Sequence, residues 1–192
     1  MKVIARYSHK EGETYIAKHF PKELKEVIQA IETVDIWSHR TKETRETGGK
    51  FQPGQMLFSP ISMNEAIYAG LRQHGWQPER ISVATQGARG RETHTGFREM
   101  DGIKNGLGLE IQFGKYAFMG YDILSKMPIF KQKGLIEAGI EVVLTKEIAI
   151  GYMSSGVSYY EQIVADLENR GIADLDIPTL ILGIGFKKLP KS

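Results

Sequence analysis

The stretch Asp101-Gly-Ile-Lys-Asn-Gly-Leu-Gly-Leu-Glu110-Ile-Gln112-Phe113 decides how the rest of the chain is read. From Leu107 onward the residues alternate, with Leu107, Leu109, Ile111 and Phe113 on one face and Gly108, Glu110 and Gln112 on the other. A period of two predicts a strand, with a carboxylate and an amide side by side on its polar face. Asp101 stands near the end of the preceding strand, across a short glycine-containing turn, so the pair gathers three oxygen-bearing side chains. Mg²⁺ takes one or two carboxylates and completes its shell with waters and phosphate oxygens. Asp101 and Glu110, helped by the backbone carbonyl of Ile111, can therefore hold a metal between the protein and a scissile phosphate. Two carboxylates this close repel, and without a cation one tends to take up a proton. The same spacing is equally that of a surface hairpin whose acids are merely solvated.

Outward from this segment, the 192 residues fit one domain spanning 1–192, with 41% hydrophobic and 25% charged residues as in soluble globular proteins. The absence of cysteine excludes disulfides, thiolate zinc sites and a cysteine nucleophile. The start lacks the apolar core of a signal peptide, and the longest apolar run, Thr179 to Phe186, is too short to span a bilayer. A soluble, cytoplasmic protein is expected. The net charge of +2 is unevenly spread: residues 1–134 carry 20 Lys+Arg against 15 Asp+Glu, and residues 135–176 carry 2 against 8. Segregation of this kind is compatible with a polyanion partner and also with an unevenly charged solvated surface.

Leu24, Val27, Ile28 and Ile31 recur at helical spacing after Pro21. Residues 41–54 have no apolar period and are expected to be a loop whose Arg40, Lys42, Arg45 and Lys50 can reach phosphates. Ser62 and Glu65 have the spacing of a capping box, which predicts a helix from Ser62 to about His74. Residues 80–100, with four arginines among glycines, read as an irregular basic segment. A helix is expected from Tyr116 to about Ile129, ended or kinked by Pro128. Strands are expected over 140–144 and 178–186, and between them a helix opened by Ser158 and Glu161 and stopped at Gly171. Strands separated by helices predict an α/β fold with a mixed sheet. The five histidines lack a zinc-protease pattern, and Gly48-Gly49-Lys50 lacks phosphate-loop spacing. The aromatics Tyr116, Phe118, Tyr121, Tyr159 and Tyr160 are expected in the core.

The segment Leu109-Glu110-Ile-Gln112-Phe-Gly-Lys115-Tyr-Ala-Phe118 resembles the active-site strand of type II restriction endonucleases of the BglII and BstYI group, in which Glu-x-Gln replaces the commoner Glu-x-Lys. Asp101, with eight residues between it and Glu110, matches the first metal-binding aspartate of that family. Further similar blocks are Tyr7-Ser8-His9, Arg40-Thr-Lys-Glu43, Gly54 to Pro60 followed by Asn64-Glu65-Ala66, Gly75-Trp76, and Met153 to Glu161, and the likeness is nearest to BstYI.

The resemblance implies a restriction-endonuclease-like mixed sheet flanked by helices. It implies Asp101 and Glu110 as metal ligands and Gln112 as the group that orients the attacking water. A further polar active-site residue on a helix before the core sheet is a glutamate three residues after a tryptophan in the related BamHI; Trp76 and Glu79 share that spacing. Lys115 and the Ser154-Ser155 pair correspond to base-contacting positions. The implied activity is Mg²⁺-dependent hydrolysis of both strands of double-stranded DNA at a palindrome with a GATC core, purine-GATC-pyrimidine being the best fit, leaving 5′-phosphate ends. A palindrome implies a homodimer, and a restriction enzyme implies a separate DNA methyltransferase that protects the host. Helices near 21–33 and 62–75 are candidates for the dimer interface. A repair or transposon nuclease of the same fold and a non-catalytic DNA-binding domain are the competing readings.

Overall fold

In the computed structural model, which describes residues 1–45, 50–88, 90 and 93–186, the chain opens with β1 (Lys2–His9), α1 (Gly12–His19) and α2 (Pro21–Glu32). A 3₁₀ turn (Ile36–His39) and the short strands β2 (Lys42–Glu43) and β3 (Met56–Leu57) lead to α3 (Pro60–Gln73). Next come β4 (Gln77–Gln86), β5 (Thr93–Lys104) and β6 (Leu107–Gln112), then α4 (Tyr116–Tyr121), a π turn (Asp122–Lys126) and α5 (Met127–Gln132). The chain closes with β7 (Ala138–Leu144), α6 (Lys146–Tyr152), α7 (Tyr160–Arg170) and β8 (Thr179–Gly185).

Six strands form one sheet in the order β1-β8-β7-β6-β5-β4. β6, β7 and β8 are parallel, whereas β1, β4 and β5 run antiparallel to their neighbours. The mixed α/β architecture expected from the sequence is therefore present, with helical crossovers joining the parallel strands as their geometry requires. Leu107, Leu109 and Ile111 face α2 and α3 through Val27, Ile31, Met63, Ile67 and Leu71. The opposite face is covered by the α4–α5 segment and α7, through Met119, Ile123, Met127, Phe130, Ile163 and Leu167. Each fully buried aliphatic contributes about 1.5–3 kcal/mol, so covering both faces is the main source of cohesion.

A two-residue turn joins β5 to β6, with Asn105 (φ 51°) and Gly106 (φ 90°) both left-handed, as a type I′ hairpin demands. This turn fixes the register Lys104↔Leu107, Ile103↔Gly108, Gly102↔Leu109. Gly108 must lack a side chain, because a Cβ there would lie 2.6 Å from the Met100 sulfur.

Several expectations are corrected. Residues 80–86 and 93–100 are not irregular: they form most of the β4–β5 ribbon, paired from Gln77↔Ile103 to Gln86↔Thr93, while residues 89, 91 and 92 of that segment lie outside the described residues. Most of that ribbon is exposed, so its backbone pairs without the apolar alternation that marks a half-buried strand. Inside the expected 41–54 loop, Lys42–Glu43 pairs with Met56–Leu57; residues 46–49 of that loop lie outside the described residues. The helix expected at Ser62 begins at Pro60, with the Ser59 hydroxyl accepting from the Ser62 amide, because proline is already set for a first helical turn. The second expected capping box is also replaced: the Tyr159 amide donates to Gln162 Oε1, and Glu161 instead accepts from the Lys146 amide. Pro128 does not end the helix. A widened π turn directly before it accommodates the missing N–H, and the chain stays helical to Gln132. Tyr116 and Phe118 are not core residues; Phe118 is 55% exposed.

Candidate active site

The site forms where β5 and β6 part. Their ladder ends at Gly102↔Leu109, and beyond it the Asp101 carboxylate takes over, its Oδ2 accepting from the Ile111 amide at 2.8 Å. The backbone bond lost by strand separation is replaced by a side-chain bond, which fixes Asp101 against β6. Glu110 lies in the second half of β6 on the face covered by α4, the π turn and α5. It is 2% exposed, so the reading of a solvated surface hairpin is removed.

Glu110 Oε1 forms a 2.8 Å ion pair with Lys126 Nζ from the π turn, without hydrogen-bond alignment. Lys126 also pairs with Asp122 Oδ1 at 2.7 Å and donates to the Glu99 carbonyl at 3.2 Å. Gln112 Nε2 donates to Asp122 Oδ2 at 3.1 Å, and its Oε1 accepts from the Gly114 amide at 2.9 Å. Both ends of that amide are thereby oriented. On β7, Glu141 stands beside Glu110 in register, fully buried, with neither carboxylate oxygen hydrogen-bonded.

Burial, then the neighbouring charge of Asp101, pushes the Glu110 carboxyl up to about 9 despite Lys126. Burial also raises Asp122, against the pull of Lys126 and Gln112. Glu141 is raised well above the usual carboxylate range by burial and by Asp122 and Glu110. Burial lowers Lys126, but Glu110 and Asp122 more than reverse this and hold the ammonium protonated.

From the opposite face, α3 sends Asn64 against β6. Its Nδ2 donates to the Ile111 carbonyl at 3.3 Å, and its buried Oδ1 has no hydrogen-bond partner. The Tyr68 hydroxyl is pushed up by burial and by Asp101. A cleft of about 160 Å³, lined by Tyr68, Trp76, Glu99 and Asp101 among others, opens beside them.

Glu79 is not on a helix: it is an exposed residue of β4 paired with Met100. Trp76 is the anchor of that turn, buried and donating to Glu26 Oε2 at 3.1 Å, and the strand starts straight after it. The polar residue on a helix preceding the core sheet and touching β6 is Asn64. The sequence signal for it was Asn64-Glu65-Ala66, one of the similar blocks.

Lys115 is tied to the segment that carries Ser154 and Ser155. An isolated β-bridge joins Lys115 to Val157, and Ser158 binds the Gly114 carbonyl through both its amide and its hydroxyl. Lys42 Nζ donates to Ser154 Oγ at 2.5 Å. A cleft of about 460 Å³ there is lined by Lys50, Tyr116, Ser154 and Ser155 among others.

Asp101 and Glu110 offer two carboxylates, and the Ile111 carbonyl retains a second lone pair beside the Asn64 bond. Among the described residues no three acidic or histidine side chains converge on one point. Two carboxylates and a carbonyl, with the other positions left to water and phosphate, are the donor set that Mg²⁺ favours. Asp101, Glu110 and the Ile111 carbonyl thus fit a divalent cation by the chemistry of their donor atoms.

The fold is that of restriction endonucleases. It superposes on the crystal structure of BglII complexed with a DNA 16-mer with a TM-score of 0.73 at 16% identity, covering 96% of this chain and 79% of that one. The free BglII structure gives a TM-score of 0.61 at 15% identity, covering 97% and 81%. The family model described as restriction endonuclease BglII/BglIII matches residues 4–184. This chain belongs to that family and is a type II restriction endonuclease. No curated protein matches it by sequence. Among the described residues no helix is long and apolar enough to cross a membrane.

Proposed function

We propose that the protein binds double-stranded DNA as a homodimer and hydrolyses one phosphodiester in each strand of a GATC-centred palindrome, purine-GATC-pyrimidine fitting best, with Mg²⁺ as the metal. The observation that carries this reading is the pair of acids at the β5–β6 separation, Glu110 buried and Asp101 half-buried and bonded to the Ile111 amide, in a chain of the BglII/BglIII family. Asp101, Glu110 and the Ile111 carbonyl would hold the metal. Bound there, it supplies charge neutralisation at the phosphate and acidifies a water.

The protein's own groups do the rest. Gln112, with its amide fixed by Asp122 and Gly114, positions the attacking water in line with the departing 3′ oxygen, which leaves a 5′-phosphate end. Asn64 holds the Ile111 carbonyl in place. Glu79, on the exposed ribbon, has no part in this arrangement. Lys115 and the Ser154-Ser155 pair reach base edges in the major groove, where lysine donates to guanine O6 and N7. A palindromic site requires a two-fold symmetric enzyme with one active site per strand, and cleavage in the host requires a protecting methyltransferase as a separate protein.

Digestion of an unmethylated plasmid of known sequence, with and without Mg²⁺, followed by mapping of the ends, tests this directly. Discrete metal-dependent cuts at GATC-centred palindromes are expected; a smear or metal-independent cutting overturns the assignment. Lys115→Ala should reduce discrimination between cognate and random duplex by about 1–3 kcal/mol. Equal weakening on both duplexes would show that Lys115 touches phosphate instead.

A further inference from the structure

The acids of this site face one ammonium, delivered from a segment that the sequence pattern did not connect with it. Lys126 lies 16 positions after Glu110, on the π turn of the crossover helix, yet its Nζ is 2.8 Å from Glu110 Oε1. It does not reach that place by chance packing. Asp122, one turn earlier and itself buried, holds the ammonium at 2.7 Å, and Gln112 holds Asp122. The π turn spans residues 122–126, so the widened turn is the element that aims both side chains at β6; such turns recur at functional sites. Lys126 is not sealed away, since it also borders an open surface pocket with Arg98, Phe118 and Tyr121. Glu141, buried with no partner for either oxygen, leaves the cluster with more acid than one lysine balances.

We propose that Lys126 is a catalytic cation of this enzyme: its ammonium contacts a non-bridging oxygen of the scissile phosphate, and Asp122 is the residue that positions it. The inference rests on the assignment of Glu110 to the scissile phosphate. In the hydrolysis the water oxygen bonds to phosphorus as the bond to the 3′ oxygen breaks. That oxygen leaves with the electron pair and takes a proton from solvent, and the water proton is released to solvent. Negative charge grows on the non-bridging oxygens during this step, and a preplaced ammonium stabilises it more than it stabilises bound substrate. Lys126 remains charged throughout and transfers no proton.

The test compares wild type, Lys126→Gln, Lys126→Arg and the charge-balanced double variant Lys126→Gln/Asp122→Asn, which keeps the fold if the single change does not. Single-turnover cleavage of a cognate duplex with Mg²⁺ is measured beside affinity for the same duplex in Ca²⁺ and thermal melting. The expected result is a cleavage rate lower by about 100-fold or more in Lys126→Gln and in the double variant. Duplex affinity should stay within about threefold of wild type, and Lys126→Arg should recover part of the rate. Cleavage within about threefold of wild type in either glutamine variant overturns the proposal, as does a rate loss that only follows lost folding or lost binding. A wild-type protein that cleaves no duplex overturns the functional reading itself, and that outcome is seen before any variant is measured.

Discussion

Asp176 and Glu110 are both sealed inside the protein, and their surroundings treat them in opposite ways. Asp176, just ahead of β8, accepts a two-pronged pair of bonds from Arg170 at 2.6 and 2.7 Å, the Ala173 amide at 2.9 Å and a contact to His9 Nε2 at 2.9 Å. Burial raises its carboxyl, but Arg170, Ala173 and His9 together hold it well below the usual range. Glu26 follows the same pattern, held low against burial by Lys104 and Trp76. Glu141 is buried with neither oxygen hydrogen-bonded, Glu110 is buried with only the unaligned Lys126 contact at 2.8 Å, and both are pushed up. A fully bonded buried acid ties elements together, here β1, α7 and the entry to β8. An under-bonded one costs stability, and in the function proposed above the partner that Glu110 lacks is the bound metal. The difference separates scaffold from site without reference to conservation.

The largest effect that can break this contrast is on activity. Asp101→Asn and Glu110→Gln should each lower the cleavage rate by about a thousandfold or more, as expected for losing several kcal/mol of transition-state stabilisation. Duplex binding should persist, and Glu110→Gln should melt no lower than wild type because no charge then needs desolvation. Retained cleavage in either variant refutes the assignment. Asp176→Asn should do the reverse, costing about 1–3 kcal/mol in urea unfolding as expected for losing charge-assisted hydrogen bonds to a buried carboxylate, with cleavage per folded molecule unchanged.

The pH dependence carries the same contrast with opposite signs. Asp176 has a lowered carboxyl, so its stabilisation is present above the unfolded value of about 4 and lost as pH falls below it. Glu110 is raised to about 9, so its contribution is present below about 4.3 and lost as pH rises toward 9. Metal-free protein should therefore melt at progressively lower temperature from pH 5 to 9, with a smaller slope in Glu110→Gln. Equal slopes in the two proteins would mean that Glu110 is already charged. The smallest effect is at Glu141, where exchange to Met removes an unpaired buried carboxyl and should raise stability by about 1 kcal/mol. A loss of several kcal/mol there would move Glu141 to the scaffold group.

The elements readable in the sequence were those with one buried face or a clear alternation: α2 with Leu24, Val27 and Ile31, β6 with its Leu-x-Leu-x-Ile pattern, and the apolar β7 and β8. The β4–β5 ribbon is not legible in the sequence because exposed pairing leaves no apolar period. β1 and the short α1 and α6 left too little pattern to read. At the site, Asp101, Glu110 and Gln112 are near neighbours along the chain, so spacing alone brought them together. Asn64 is visible in the sequence only as part of a similar block, and the spacing from Trp76 points to Glu79 instead, since nothing local tells that the chain leaves Trp76 as a strand.

By itself, then, the sequence determined the α/β class, the β5–β6 hairpin with its acid pair, and the family, all of which rest on short-range pattern. Tertiary structure decided that Glu110 is buried rather than solvated, that Asn64 rather than Glu79 reaches β6 from a helix, and that Asp122, Lys126 and Glu141 surround it. The physical reason is that burial and charge coupling are set by what the α4–α5 crossover and β7 place over the strand, and those contacts join residues whose separation along the chain carries no periodic signal.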